Sequence, residues 1–223
     1  MPLGISDDGR LVAFEDAEEN EEPRRIRVVR RADGQELQSL HTQGESIFCV
    51  EFLDSNRRLG TFENRGDIGN EKHWLVIWDI KSGRRETEIP VKMQTYLYAF
   101  SPDGSLCAVE AEEGLINVWD TRLRSVRFSL DQKTCSHFGM AFSKNGRLLA
   151  ASGEGRRPKK NVGEIRVWDS TSGKELATII DDTSWGVTAV EFSPDGRELA
   201  AGNASGIVRF WNVPTVSGNA SEK

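Results

Sequence analysis

The chain has 223 residues, of which 37% are hydrophobic and 29% charged, and its formal net charge is −6. This length allows one large or two small domains, and the negative charge argues against general binding to nucleic acid or anionic membrane, because either needs a large basic face. We find no apolar run of spanning length, no secretory signal pattern and no paired spacing among the three cysteines, so we expect a cytoplasmic protein without a disulfide framework.

Five related turns divide the chain at nearly regular intervals. They are ISDDG at 5–9, FLDSN at 52–56, FSPDG at 100–104, FSKNG at 142–146 and FSPDG at 192–196. The Asp-Gly and Asn-Gly pairs supply residues that adopt a positive φ in a hairpin, and Asn56 is the next best residue for the glycine position. Alternating apolar runs such as IFCVEF and VTAVEF precede the turns, so we predict a hairpin at each turn.

A second feature follows each turn, a short apolar strand that ends at a tryptophan position. We predict that the tryptophans of this feature pack between repeated units: Trp78, Trp119, Trp168 and Trp211, with Val29 at the tryptophan position of the first repeat. The aspartates that follow three of them, Asp79, Asp120 and Asp169, are structural marks of the repeat. Three arginines, Arg27, Arg166 and Arg209, lie two residues before this position, where we favour a stacked structural role over an anion site. The turn and the tryptophan recur together 41 to 50 residues apart, which indicates a repeated structural unit.

Each repeat is predicted to form four short antiparallel strands. A single sheet of this size buries too little apolar surface, so the units must stack face to face. We place these units at about 1–45, 46–94, 95–136, 137–185 and 186–213. Residues 214–223 are predicted to be a flexible C-terminal tail.

Four strands per unit with a Trp-Asp pair resemble the WD-repeat family, and the resemblance covers nearly the whole chain. It implies an all-β fold in residues 1–213, a β-propeller of four-stranded antiparallel blades. The repeats are degenerate and resemble those of large bacterial proteins. They lack the family's Gly-His pair, and Glu113, Gly163 and Ser205 stand where the family has an aspartate before the Trp strand. The family's Asp-His-Ser-Trp hydrogen-bond network therefore cannot form in the usual way, and we expect apolar stacking to hold the blades together.

The first and fifth repeats are predicted to be partial, with three complete blades between them. Only MPLGI is left for the first strand of the first repeat, and PTVSGNASEK is a poor candidate for the last strand of the fifth. Propellers close with typically four to eight blades. Three arrangements stay open: a ring that closes on few blades, an open or partial ring whose ends are capped by another chain or by self-association, and a piece of a longer protein.

No residue pattern predicts catalysis, a cofactor or a metal site. The sequence contains no nucleophile elbow and no phosphate-binding or dinucleotide-binding loop, and no His, Cys or carboxylate pair has metal spacing. In the repeat alignment Cys49, Cys107 and His137 share packed positions with apolar or small residues, while His41 and His73 fall in loops.

Three long loops before the Trp strand, at 15–24, 63–73 and 153–163, are the candidate binding elements. In propellers these loops share one face with the connections between blades, where a rigid scaffold presents binding residues. The first loop has six carboxylates, including Glu15 and Asp16, and the third is basic, which predicts separate acidic and basic sectors. The predicted partner-binding residues are Glu18, Glu19, Glu21, Glu22, Arg156, Arg157, Lys159 and Lys160, together with Trp185 in a connecting loop as a hot spot. For any single loop, a solvated insertion is the alternative.

These observations predict a non-enzymatic protein–protein interaction scaffold with unidentified protein partners and with no nucleic acid, membrane, cofactor or metal as a partner. Two alternatives stay open. One is a regulatory or sensor propeller module of a larger, for example kinase-linked, protein. The other is a propeller-fold hydrolase or dehydrogenase.

Overall fold

The computed structural model describes residues 3–16, 24–66, 72–93, 95–111, 114–131, 134–156, 161–182 and 186–213, without side chains at 134–138, 156 and 161. The described residues form nineteen strands in five sheets, each built from strands consecutive in the chain. Sheet 1 contains β1 (Leu3–Ile5), β2 (Leu11–Asp16), β3 (Arg25–Arg30) and β4 (Glu36–His41). Sheet 2 contains β5 (Ser46–Leu53), β6 (Arg58–Asn64), β7 (His73–Asp79) and β8 (Arg84–Val91).

The remaining three sheets follow the same plan. Sheet 3 contains β9 (Tyr98–Phe100), β10 (Leu106–Glu110), β11 (Leu115–Asp120) and β12 (Ser125–Asp131). Sheet 4 contains β13 (Thr134–Phe142), β14 (Leu148–Arg156), β15 (Asn161–Asp169) and β16 (Glu175–Asp181). Sheet 5 contains β17 (Val187–Phe192), β18 (Glu198–Asn203) and β19 (Val208–Asn212). The predicted all-β class and the four-stranded antiparallel units are confirmed.

The prediction of a partial first repeat is wrong, because sheet 1 has four strands. The three residues of β1 pair with β2 in the register Leu3↔Phe14 and Ile5↔Val12. So short a strand is held because Gly4 lies against the backbone of sheet 2, where a Cβ atom would stand 2.6 Å from the carbonyl oxygen of Val50. Sheet 5 has three strands among the described residues, and the predicted tail at 214–223 lies outside them.

The chain divides into two compact units, each with its own core. Unit 1 comprises Met1–Tyr96, Pro102–Cys107 and Trp119–Val126, and unit 2 comprises Leu97–Ser101, Ala108–Val118 and Arg127–Lys223. In unit 1, apolar residues of sheets 1 and 2 form one buried cluster, and in unit 2 those of sheets 4 and 5 form another. Sheets therefore bury their apolar residues by stacking face to face, as the repeat pattern predicts. None of the described residues belongs to a helix of the length and apolarity that a bilayer crossing requires.

The recurring turns are closed by side-chain hydrogen bonds as well as by glycine. In the last of them the Ser193 hydroxyl donates to Asp195 (2.7 Å), and both side chains accept backbone N–H groups, of Glu198 (2.9 Å) and Arg197 (3.0 Å) respectively. These hydrogen bonds lower the pKa of Asp195, led by the one from Ser193. The turn therefore contributes stability at neutral pH that is lost as the pH falls through this lowered pKa.

Asn56 matches its predicted role in a turn, and the aspartates of the Trp-Asp pairs close a second set of hairpins. Asn56 takes the place of the turn glycine with a φ of 67°, close to the 68° of Gly104 in the next repeat. The aspartates of the Trp-Asp pairs accept N–H groups of the following hairpin, as Asp169 does from Ser172 at 2.7 Å. Trp78 is almost fully buried, and its indole N–H donates to the Thr61 hydroxyl at 3.1 Å. This bond retains only the tryptophan end of the family network.

Glu191 provides a pH-dependent test of sheet 5. Glu191 is exposed as a residue, but part of its carboxyl is removed from water, and this raises the pKa of Glu191 because the loss of water penalises the charged form. A raised pKa means that the fold is most favoured while Glu191 is protonated and loses stability as the pH rises through that pKa. We therefore expect Glu191→Gln to be more stable than the parent chain at about pH 7 and equal to it at about pH 3, by urea unfolding. A gain of the same size at both pH values would contradict this assignment.

Candidate protein-binding surface

Most residues predicted from the sequence to bind a partner lie outside the described residues. These are Glu18, Glu19, Glu21, Glu22, Arg157, Lys159, Lys160 and Trp185. Arg156 is the last residue of β14, and its side chain is not described. All nine therefore stay predictions.

The long loops are shorter than the sequence suggests, because neighbouring strands extend into them. The predicted loop at 153–163 overlaps both β14 and β15, which pair as far as Arg156↔Asn161. Glu15 and Asp16, counted among six loop carboxylates, end β2. They pair with Arg24 at 2.8 Å and Arg25 at 2.9 Å. Two of the six carboxylates counted in the acidic loop therefore face arginines.

At the end of sheet 2 where β6 ends and β7 begins, four rings meet in what we call the aromatic cluster: Phe48, Phe62, His73 and Tyr96. Phe48 is at the centre. Its ring stacks on Phe62 with centroids 5.5 Å apart, and it meets Tyr96 edge-on at 4.8 Å and His73 at 5.6 Å. His73 and Tyr96 are themselves 5.8 Å apart. The cluster thus brings two strands, the start of a third and a connecting loop into one surface.

A β-bulge places Phe48 in this cluster. The register of β5 against β6 shifts between Ile47↔Glu63 and Cys49↔Phe62, so Phe48 is the extra residue. A bulge bends the strand and re-aims the side chain of the inserted residue. Phe48 is only half-buried, while its neighbours Ile47 and Cys49 are buried. The bulge therefore turns an aromatic ring from the alternating strand pattern towards the loop end of the sheet.

The cluster runs from the core to solvent. Phe62 is fully buried, Phe48 and His73 are half-buried, and Tyr96 is 64% exposed. Tyr96 therefore presents a large aromatic side chain to solvent on a base of packed rings. Tyrosine held in this way offers contact area at low entropic cost, which is the property of interface hot spots.

A buried ion network lies beside the aromatic cluster. The Glu63 side chain is fully buried and accepts N–H groups from Arg65 (3.0 Å) and from the backbone of Gln43 (3.2 Å). Arg65, 13% exposed, also contacts Glu88 at 2.8 Å, and its guanidinium lies 4.6 Å from the centre of the Trp74 ring. One arginine thus joins two carboxylates and an aromatic ring, which fixes the ends of β6 and β7 that flank the long loop.

The sequence did not identify the aromatic cluster. The sequence predicts loops for His41 and His73, but His41 ends β4 and His73 begins β7. Phe48 stands in a regular alternating run, and no local pattern reveals the bulge. The alternating run YLYAF at 96–100 predicts a strand that includes Tyr96, whereas β9 begins only at Tyr98 and Tyr96 lies in the connection before it.

The residues whose side chains could take part in catalysis, metal binding or anion binding have structural environments. Cys107 is fully buried, and burial raises the pKa of its thiol well above the usual value. Within the part of the chain that the structure describes, no group of three or more His, Cys, Asp or Glu side chains could hold a metal ion. The three aligned arginines pair with carboxylates: Arg27 with Glu36 at 2.7 Å, Arg166 with Glu164 at 2.7 Å, and Arg209 with Asp181. Their geometry is that of structural ion pairs.

Comparisons with known proteins agree with the repeat pattern. A family model described as "WD domain, G-beta repeat" matches residues 173–212. The chain is similar to the small ribosomal subunit protein RACK1 of Candida albicans, with 31% identity over 124 residues that cover 52% of this chain and 36% of the relative. It is also similar to the target of rapamycin complex subunit wat1 of Schizosaccharomyces pombe, with 28% identity over 115 residues, 52% of this chain and 34% of the relative.

A third relative is much larger. The apoptotic protease-activating factor 1 of Rattus norvegicus is 30% identical over 158 residues, which cover 66% of this chain and 12% of that protein. The match spans about a third of the length of the first two relatives. The family model matches a stretch of one repeat's length, and together with the recurring turns, the Trp-Asp pairs and the five sheets these matches support a WD-repeat fold of the β-propeller type.

Proposed function

We propose that this chain is a non-enzymatic protein-interaction scaffold that binds a partner through the loop end of sheet 2. One observation carries the proposal: Tyr96 is 64% exposed, yet its ring packs against Phe48 and His73 in the aromatic cluster. An exposed aromatic side chain on a rigid base is costly to leave in water and is well prepared to bind.

The chemistry of this surface favours a protein partner. Protein interfaces are enriched in Tyr, Trp, Phe and Arg, and their hot spots have well-packed neighbours. The aromatic cluster supplies the rings, and Arg65 and Trp74 beside it supply a stacked cation. A nucleic-acid surface would need a basic face, which the net charge of −6 does not favour.

The names of two relatives support an assembly role. One is a protein of the small ribosomal subunit and the other is a subunit of the target of rapamycin complex, so both belong to multi-protein assemblies. By analogy we propose that this chain also works within an assembly, in the cytoplasm. The acidic and basic loop residues, for example Glu18 and Arg157, are proposed to extend the binding surface, with Trp185 as a second anchor.

A second candidate function is a regulatory module within a larger protein. It is favoured by the similarity to apoptotic protease-activating factor 1, of which the matching part is 12%. The coding sequence on either side of this chain distinguishes the two. A catalytic domain in the same reading frame would support the regulatory module, and neighbouring genes in separate frames would support a scaffold.

Affinity capture tests the proposed surface. We expect Tyr96→Ala to reduce recovery of the main partner about tenfold or more, because it removes a hot-spot ring, and Tyr96→Phe to retain binding. Leu123→Ala is the matched control, since Leu123 is 75% exposed but lies in the hairpin between β11 and β12. Quantitative mass spectrometry of the captured proteins measures the effect.

The loops are tested in the same experiment with the four basic residues Arg156, Arg157, Lys159 and Lys160 changed to glutamate. Loss of the same partner would show that the basic loop contributes to one surface with Tyr96. Equal recovery with Tyr96→Ala, Leu123→Ala and the parent chain would refute the role of the aromatic cluster.

A further inference from the structure

One face of sheet 5 exposes side chains whose repeat equivalents are buried in every other sheet. The two positions lie one and three residues before the tryptophan position. In sheets 1 to 4 they are occupied by Ile26 and Val28, Leu75 and Ile77, Ile116 and Val118, and Ile165 and Val167, all between 0% and 2% exposed. In sheet 5 they are Val208 and Phe210, which are 60% and 67% exposed. Val208 and Phe210 of β19 are therefore exposed to solvent at repeat positions that are buried in the other four sheets.

The sheets with known neighbours show what covers these positions. Ile26 and Val28 of sheet 1 belong to one buried cluster with Val50 and Phe52 of β5. Sheets 4 and 5 repeat the arrangement, because Ile165 and Val167 of β15 cluster with Val190 and Phe192 of β17. We call the face of a sheet that carries residues equivalent to Ile26 and Val28 the forward face. We call the face that carries residues equivalent to Val50 and Phe52 the rear face. A forward face is thus covered by the rear face of another sheet of the same type.

The rear face of sheet 1 is exposed as well. Leu3 and Ile5 of β1 correspond to Val50 and Phe52 of β5, because Ile5 pairs with Val12 as Phe52 pairs with Leu59. Both Leu3 and Ile5 are 59% exposed, whereas Val50 and Phe52 are 7% and 8% exposed. The chain therefore carries both halves of a sheet-to-sheet contact, each with exposed apolar side chains.

We propose that the forward face of sheet 5 binds the rear face of sheet 1 of a second copy of this chain. In this contact Val208 and Phe210 pack against Leu3 and Ile5, as Ile165 and Val167 pack against Val190 and Phe192 in sheets 4 and 5. The two surfaces differ, so the association is heterologous and runs head to tail. It uses neither Tyr96 nor the loops, and so it stands independently of the proposed partner-binding surface.

Mixing two variants tests the head-to-tail geometry. We expect the 223-residue chain to associate in sedimentation equilibrium, and Phe210→Asp and Ile5→Asp each to weaken association about 30-fold or more, because each places a charge in an apolar contact. A 1:1 mixture of the two variants should form a dimer and stop there. Each variant keeps one intact face, Phe210→Asp the rear face of sheet 1 and Ile5→Asp the forward face of sheet 5.

Two controls accompany the mixing experiment, a variant outside both faces and a check of folding. Leu123→Asp, at an exposed position outside both faces, should associate like the parent chain. Circular dichroism checks that each variant folds, which we expect because both substituted side chains are exposed. A parent chain that stays monomeric at all concentrations would overturn the proposal. So would single variants that associate normally, or a mixture that stays monomeric.

Discussion

Replacing Arg65 with alanine is expected to lower the free energy of unfolding by about 3–5 kcal/mol. Arg65 is the ionic partner of Glu63, whose side chain is fully buried, and it also contacts Glu88. Without the guanidinium, the Glu63 carboxylate stays buried with one backbone N–H from Gln43 as its remaining donor among the described residues. An uncompensated buried charge is among the costliest single changes in a protein interior.

Urea unfolding followed by circular dichroism measures this loss. Arg25→Ala is the matched control, because Arg25 and Asp16 form an ion pair whose side chains are 34% and 18% exposed. Such a pair contributes at most about 1 kcal/mol. If the two variants lost the same stability, Arg65 would not anchor the loop end of sheet 2.

Replacing Trp78 with alanine is the second large effect, with an expected loss of about 3–5 kcal/mol. Trp78 is 2% exposed, donates its indole N–H to Thr61 and lies under the Arg85 guanidinium at 4.8 Å. The change would open a cavity between sheets 1 and 2 and leave the Thr61 hydroxyl without its partner.

The repeats supply the control for Trp78. Trp119 occupies the same repeat position but is only half-buried. Trp119→Ala should therefore cost clearly less than Trp78→Ala in the same unfolding experiment. Equal losses would show that the repeat position, rather than the depth of burial, determines the contribution of the tryptophan.

The local part of this fold could be predicted from the sequence because turn chemistry and strand alternation act over a few residues. FSPDG contains the serine, aspartate and glycine that close the turn, so the hairpins follow from it directly. The Trp-Asp pairs likewise mark the end of the third strand in sheets 2, 3 and 4. The first strand was underestimated because its support comes from Val50 in another sheet, which three residues of sequence do not reveal.

The candidate surface could not be predicted because it depends on register and on tertiary contacts. The bulge at Phe48 is set by the pairing of β5 with β6. Tyr96 reaches Phe48 from a point 48 residues further along the chain, in the connection after β8. The pairing of Glu15 and Asp16 with arginines depends equally on the register of β2 and β3. Composition could predict charged loops, but not which charges are already neutralised.

Photocrosslinking at position 96 tests the central claim, that the loop end of sheet 2 contacts a partner. A photoreactive phenylalanine analogue in place of Tyr96 keeps an aromatic ring in the cluster, and the same analogue in place of Leu123 is the control. On illumination in cell extract, we predict one dominant covalent protein adduct from position 96 and none of that adduct from position 123. The same adduct in equal yield from both positions, or adducts from position 123 alone, would contradict the assignment of this surface.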